Sequence, residues 1–446
     1  MTNSIALKRS SMNASNRIRS VILTGASTRS LAASAVGAGY IPYCVDLFCD
    51  SDLKWLLKQN GAEPPIQISS FADLPEALSH VPPHLPVVWT GGLENSPDVI
   101  RAISERHHVL GPSIGTIEYV SNPLHLQTLV DGTTCRTPEI AMAEEADVGK
   151  DWLVKPLHSA GGIGIRHLQH GDSCHETEFL QCYVHGLPIS ALYCHGTTGT
   201  ELLSTSIQLT GVENLGGSAF AFCGNIGPIS FPDRVTQALL EAGQNIAAAG
   251  MIGVFGADFV VTDDGVWLIE VNPRITASHE LHDFIHAGPT VLDRHIAGCL
   301  NEPVNRNLTR RGIHQSACLA RLIVYAAGDV DVEERDIQEL GRFHQALGCR
   351  IEPPRPHATR DSWVSDIPTP SRISVGDPFC SVYHLLHQDH NGKFTGPNIS
   401  DSAQIDSLVA RYTKLHSLDT IMTARQWLSR LDSDLMRDAT VDSQQK

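Results

Sequence analysis

Gly256-Ala-Asp258-Phe-Val-Val-Thr-Asp-Asp-Gly265-Val-Trp-Leu-Ile-Glu270-Val-Asn272-Pro-Arg274 places two alternating apolar runs around Asp263-Asp264-Gly265. A three-residue loop ending in glycine is a recognised hairpin connection. Folded about Asp264, Thr262 faces Val266, Val260 faces Leu268 and Asp258 faces Glu270. Directly opposed residues hold their Cβ atoms about 4.5–5.5 Å apart. Asn272 lies two residues beyond Glu270 and shares its face. Two facing carboxylates repel unless something cationic sits between them. A hard divalent ion with oxygen ligands answers that need, and Mg²⁺ held by carboxylates and substrate phosphates fits it. The alternative is an exposed hairpin with solvated acids. Three oxygen ligands on one face, followed at once by Arg274, weigh against it.

Working outward, Trp152-Leu-Val-Lys155 is a buried-type strand ending on a lysine, and Gly161, Gly162 and Gly164 follow in a loop of small residues. Glycines let backbone N–H groups approach phosphate oxygens, and the lysine adds charge. The lysine precedes the glycines, so this is not the G-K-[ST] phosphate loop. A hairpin tip is the bland alternative. Glu178 to Gly186 is apolar and strand-like, and its backbone amides suit an adenine edge.

Upstream, strands at 21–24, Ile41–Asp46 and Val87–Trp89 alternate with a helical stretch from Ser30 to Ala38, which argues for a parallel α/β unit. Ligands bind at the carboxyl ends of such strands, so the loops Gly25–Arg29 and Gly91–Asn95 are candidate site loops. Downstream, helices are expected at Asp233–Ala249 and Glu280–Gly298, strands at Ala317–Ala326 and Arg372–Tyr383, and closing helices over 401–438. His107-His108 reads as a surface helix end. His279, Glu280, His282 and His286 do not form H-E-x-x-H. They read as a first helical turn facing an acceptor substrate.

The chain has 446 residues, 42% of them apolar and 18% charged, enough for several cores. A net charge of −16 argues against nonspecific binding to nucleic acid or to an anionic membrane. No run approaches a membrane span. Eleven cysteines form no C-x-x-C pair, the usage of a reducing compartment. The N-terminus lacks an apolar signal core. A cytoplasmic protein is expected.

Together, and in this order, the three central segments resemble the ATP-grasp superfamily over residues 115–305. More narrowly, the chain resembles ATP-grasp proteins described as predicted carboligases related to biotin carboxylase, which include ligases joining glutamate to an amine. That likeness rests on Gly25–Leu31 with Gly39-Tyr40 and Val45-Asp46, on Lys155 with its glycine loop, and on Glu270-Val-Asn-Pro-Arg274 with Thr276-Ala-Ser278. Asp366-Ile-Pro and Gly376-Asp-Pro-Phe-Cys380 add to it.

The resemblance implies a mixed α/β and α+β chain. Residues 1–20 would be a disordered tail, 21–114 a Rossmann-like pre-ATP-grasp domain, 115–305 an ATP-grasp domain of two lobes, and 306–446 a small β-rich C-terminal module with closing helices. It implies ATP and Mg²⁺ (or Mn²⁺) as cofactors. Lys155 would contact ATP phosphates beneath a loop carrying Ser159, Gly161, Gly162 and Gly164. Gln181, Tyr183 and Val184 would line the adenine pocket. Asp258, Glu270 and Asn272 would hold metal, and Arg274 would steady an acyl phosphate. Arg29, Glu94, Ser278 and Glu280 are the expected substrate contacts, Glu280 as an ammonium partner.

Two departures stand out. Ser121-Asn-Pro-Leu-His125 replaces an early lysine, with His125 as its candidate substitute, and Gly186-Leu-Pro-Ile-Ser190 lacks a ribose-binding glutamate. The implied activity is an ADP-forming carboxylate–amine ligase with a small amino-acid-like substrate. A bicarbonate-using carboxylase and a non-catalytic ATP-binding module are the alternatives. A homodimer is the family-level expectation.

Overall fold

A computed structural model describes residues 19–141, 149–170, 172, 174–304, 317–344, 361–388, 394–395 and 399–413. Residues 1–18 of the expected tail and 414–438 of the expected closing helices lie outside them. Ile399–Val409 is a helix.

The N-terminal strands form a five-stranded parallel sheet in the order Ile66–Gln67, Ile41–Asp46, Ser20–Gly25, Pro86–Trp89, His108–Val109. Its central strand carries the unbroken apolar run Val21-Ile22-Leu23 because parallel sheets are covered on both faces. Alternate residues serve the two faces. Val21 and Leu23 pack with Leu31 and Leu53, while Ile22 packs with Leu74, Leu78 and Ile100. Gly25 has φ +146°, and a Cβ there would fall 1.9 Å from Thr90 Oγ1. Only glycine lets the two loop-bearing strand ends approach so closely.

The second sheet is antiparallel and has nine strands. Eight run in the order Gly265–Asn272, Gly253–Thr262, Leu187–Gly196, Gly199–Thr210, Phe222–Gly227, Ala317–Tyr325, Pro378–Gln388, Ser362–Ser365. Phe394–Thr395 pairs with Pro378–Gln388. The strands after residue 317 therefore continue the sheet begun before 305, through the pairing of Ile226 with Ala320. The helix Asp233–Ala248 covers one face through Val235, Leu239, Ala242 and Ile246. A small four-stranded sheet, ordered Ile140–Ala141, Glu178–Cys182, Trp152–Pro156, Arg166–His167, forms the opposing wall.

Three expected elements differ. The helix expected at Glu280–Gly298 is two helices, His279–Ile285 and Val291–Leu300. Gly288, at φ +102°, and Pro289 break it, and Thr290 caps the second helix by accepting a hydrogen bond from the Asp293 N–H at 3.2 Å. The strand expected at Arg372–Tyr383 is split by a turn in which Gly376 has φ +83°. His107 is not a surface helix end: it is buried after the helix has stopped, with its ring nitrogen 3.3 Å from the Leu85 carbonyl.

Candidate active site

The hairpin opposes Asp258 and Glu270 as expected, by a different route. Thr262 pairs with Gly265 and Val260 with Trp267, not with Val266 and Leu268. The loop is two residues long, Asp263-Asp264, which shifts the register by one. Phe259 pairs with Leu268 while Asp258 pairs with Glu270, leaving Ile269 as a bulge that restores the acids to opposition. Asn272 sits opposite Gly256, and its amide nitrogen donates to Asp258 Oδ2 at 3.1 Å and to Glu270 Oε1 at 3.3 Å. Asp258 Oδ1 is buried with no hydrogen-bond partner. Burial first, and the facing Glu270 charge second, raise the Asp258 carboxyl to about 7.

Lys155 is the last residue but one of the Trp152–Pro156 strand and is buried. Its ammonium donates to Gln181 Oε1 at 3.2 Å and lies 3.9 Å from Glu270 Oε2. Gln181 is pinned in turn, donating to the Ile269 carbonyl at 3.3 Å. The small sheet thus delivers its lysine to the acids of the large one. The glycine loop closes the space between them. Gly161 and Gly162 have φ of +66° and +77°, the Phe222 N–H donates to the Gly161 carbonyl at 2.9 Å, and a Cβ on Gly162 would fall 1.9 Å from the Phe220 carbonyl oxygen. Tyr183 packs edge-on against His185 and His167, with ring centroids 4.5 and 5.2 Å away.

Lys155, Gly161, Gly162, Gln181, Tyr183, Val184, Asp258, Glu270, Asn272, Arg274 and Ser278 all line one cavity of about 460 Å³. It runs between the sheets and reaches Ser27, Gly91 and Gly92 of the N-terminal loops. Ser159, Gly164, Glu94, Arg29 and Glu280 are not in its wall. Ser159 is held through its carbonyl by the Asn95 amide at 3.4 Å, and Gly164 lies against Pro156. Glu94 anchors Arg274: the arginine Nε donates to Glu94 Oε1 at 2.6 Å, and its Nη2 donates to Asn272 Oδ1 at 3.2 Å.

Arg29 and Glu280 were expected on the substrate, with Glu280 receiving an ammonium. They are instead bound to each other in a buried cluster behind the wall. Arg29 Nη1 pairs with Glu280 Oε1, Nη2 donates to Glu280 Oε2 at 3.1 Å, and Nε donates to Asp366 Oδ1 at 2.8 Å. Asp52 and the Tyr383 hydroxyl complete the set. A buried arginine needs opposite charge around it, so Glu280 is already committed. Burial alone would raise the Asp366 carboxyl; Arg29 and Arg321 outweigh that and hold it well below the usual carboxylate range. Arg321 was not singled out from sequence. It reaches the cavity wall while donating to Asp366 Oδ2 at 2.8 Å.

His125 stacks on Tyr119 and bonds its own turn through the Tyr119 carbonyl, away from the cavity wall. Its proposed stand-in role for a lysine gains no support from that position. In the Gly186–Ser190 run, Gly186, Pro188 and Ser190 line the cavity. All ten described cysteines are free thiols. Among the described residues no helix is long and apolar enough to cross a membrane, and no three His, Cys, Asp or Glu side chains converge as a metal-binding group. A cation here would draw on two carboxylates and an amide.

Residues 120–278, which hold the hairpin, the lysine strand and the glycine loop, match the family model for the ATP-grasp domain. The chain carries an ATP-grasp domain. Solved structures share the fold over most of the chain. Biotin carboxylase from Campylobacter jejuni, as a β-γ-ATP complex, superposes with a TM-score of 0.61 at 14% identity, covering 93% of this chain and 99% of that one. Carboxyaminoimidazole ribonucleotide synthase from Aspergillus clavatus, complexed with ATP, gives a TM-score of 0.58 at 15% identity, covering 88% and 97%. An uncharacterized protein of Methanocaldococcus jannaschii is 24% identical over 206 residues, a match spanning 43% of this chain and 46% of that relative's length.

Proposed function

We propose that this chain is an ATP-dependent ligase that activates a small, amino-acid-like carboxylate as an acyl phosphate and passes it to an amine. The observation that carries this reading is the opposition of Asp258 and Glu270 beneath the Lys155 ammonium. Two acids held face to face, one with an orphaned buried oxygen, fit a hard dication such as Mg²⁺ or Mn²⁺. Asp258, Glu270 and the Asn272 amide would hold it. When bound, it neutralises charge on the β- and γ-phosphates of ATP.

The protein groups supply the rest. Lys155 sets positive charge beside the transferred phosphoryl group, and the left-handed glycines turn backbone toward it. Gln181, Tyr183 and Val184 line the base end. A carboxylate oxygen attacks the γ-phosphorus, the bond to the bridging oxygen breaks, and ADP leaves with that electron pair. The amine nitrogen then attacks the acyl carbon, gives up a proton, and inorganic phosphate departs. Arg274, braced by Glu94, faces the oxygens that gain charge in both steps. Positioning and electrostatics carry such phosphoryl transfer. Free thiols throughout the described residues suit a reducing, cytoplasmic setting.

The test is ADP release from Mg²⁺-ATP with a panel of amino acids and amines. Stimulation by one carboxylate–amine pair supports the ligase, and its absence across the panel overturns it. Both enzymes among the solved structures above are named for carboxylation. Bicarbonate-stimulated ADP release would therefore move the assignment to a carboxylase. Nucleotide binding without any turnover would leave a non-catalytic ATP-binding module.

A further inference from the structure

His279 opens the helix that follows Arg274, and it lines the same cavity as Lys155 and Glu270. It is only 2% exposed. Its Nδ1 lies 2.9 Å from the Thr276 carbonyl oxygen, which can only accept, so in the neutral ring Nδ1 is the nitrogen that carries the hydrogen. That leaves Nε2 with a lone pair. Nε2 is buried and has no hydrogen-bond partner. A buried acceptor left unmet is unfavourable, and on a cavity wall a ligand can supply the missing donor.

The neighbouring carboxylates do not compete for that role. Glu280 is bound to Arg29 and Tyr383, Glu94 to Arg274, and Asp258 and Glu270 face each other on the hairpin. The ligase chemistry contains one step with no assigned proton acceptor: the loss of a proton by the amine that attacks the acyl phosphate. We propose that His279 Nε2 accepts an N–H of the incoming amine and takes its proton as the carbon–nitrogen bond forms. The inference rests on the ligase reading. Nitrogen loses the proton to Nε2, carbon gains nitrogen, and phosphate leaves with the carbon–oxygen electron pair.

The experiment compares wild type, His279→Gln and His279→Ala in the full chain with ATP, Mg²⁺ and the twenty amino acids as carboxylates. Two acceptors are used side by side. Hydroxylamine is already unprotonated at neutral pH and needs little help from a base, whereas methylamine is largely protonated. The expected result is that the ratio of methylamide to hydroxamate falls about 100-fold in His279→Gln, in the range of general-base contributions. Added imidazole should restore part of that ratio in His279→Ala. An unchanged ratio in both variants, with the two products falling together or not at all, overturns the proposal and marks His279 as structural. Wild type that forms no hydroxamate with any carboxylate overturns the ligase reading itself, a distinguishable failure. Thermal melts and nucleotide binding of each variant confirm that the fold is kept.

Discussion

Arg274 donates through Nε to Glu94 Oε1 at 2.6 Å, although 180 residues separate the two. Glu94 also accepts from the Gly92 N–H at 2.8 Å, so the loop after the Pro86–Trp89 strand is shaped around the carboxylate that steers the arginine. Glu94→Gln keeps the side-chain size and removes the charge. Turnover should fall about 100-fold, the scale expected when a reacting group is misplaced by roughly an ångström. The KM for ATP should stay near the wild-type value, because Glu94 is not in the cavity wall. Steady-state kinetics with ATP and carboxylate varied separately checks both.

The Arg29–Glu280 pair makes a stability prediction. Both side chains are 4% exposed. Removing Arg29 strips the cation from the buried carboxylates of Glu280 and Asp52, a loss of about 3–5 kcal/mol. Arg29→Met should lower the urea midpoint strongly, and Glu280→Gln less, because Arg29 keeps Asp366 and Asp52. The double variant should lose less than the sum, because the pair is then gone altogether.

The Asp258 carboxyl, raised to about 7, links pH to both metal and stability. Folded protein holds that proton more tightly than unfolded chain does. The site is therefore most comfortable at acid pH, and this contribution is lost as pH rises from about 4, the ordinary aspartate value, to about 7. A ligating carboxylate must be deprotonated, so Mg²⁺ binding should weaken from pH 8 to pH 6, with the proton released per ion rising from near zero at pH 8 toward one at pH 6. Added Mg²⁺ should raise the melting temperature more at pH 8 than at pH 6. Calorimetric titration in buffers of different ionisation enthalpy measures the proton directly.

Gly162→Ala tests the loop. The backbone there is left-handed and the new methyl would meet the Phe220 carbonyl oxygen. The loop must lift off the Ser218–Phe222 segment, so the KM for ATP should rise about tenfold while the melting temperature changes little. Unchanged ATP kinetics would show that this contact has no part in closing over phosphate.

What the sequence makes legible follows the range of the contacts. The Asp258–Glu270 opposition could be read because a hairpin is local and its register follows from the alternation of apolar residues. Even so, a two-residue turn and a bulge at Ile269 offset each other, and neither announces itself in composition. The parallel strands near the N-terminus could be read because burial on both faces leaves unbroken apolar runs. Glu94 and Arg274 were each picked out, but not their contact, since nothing in a sequence of this kind reports an ion pair between distant segments. Arg29 reads as a substrate contact because a charge in a loop at a strand end looks free, and Glu280 because it sits in the first turn of a helix after the hairpin. Asp52, Asp366 and Tyr383, drawn in from three separate segments, hold both in a buried cluster outside the cavity wall. His279 was seen only as part of a histidine cluster, since the orphaned Nε2 appears only once its tertiary surroundings are known.

The central claim is that the acids facing each other on the hairpin serve a ligase that works through an acyl phosphate. The most direct measurement uses an oxygen-isotope-labelled carboxylate, chosen as the amino acid that stimulates ADP release, and reads the inorganic phosphate by mass spectrometry. One labelled oxygen should appear in phosphate for each amide formed, and Glu270→Gln should abolish both. Amide formation with unlabelled phosphate, or full turnover by Glu270→Gln, would contradict the account.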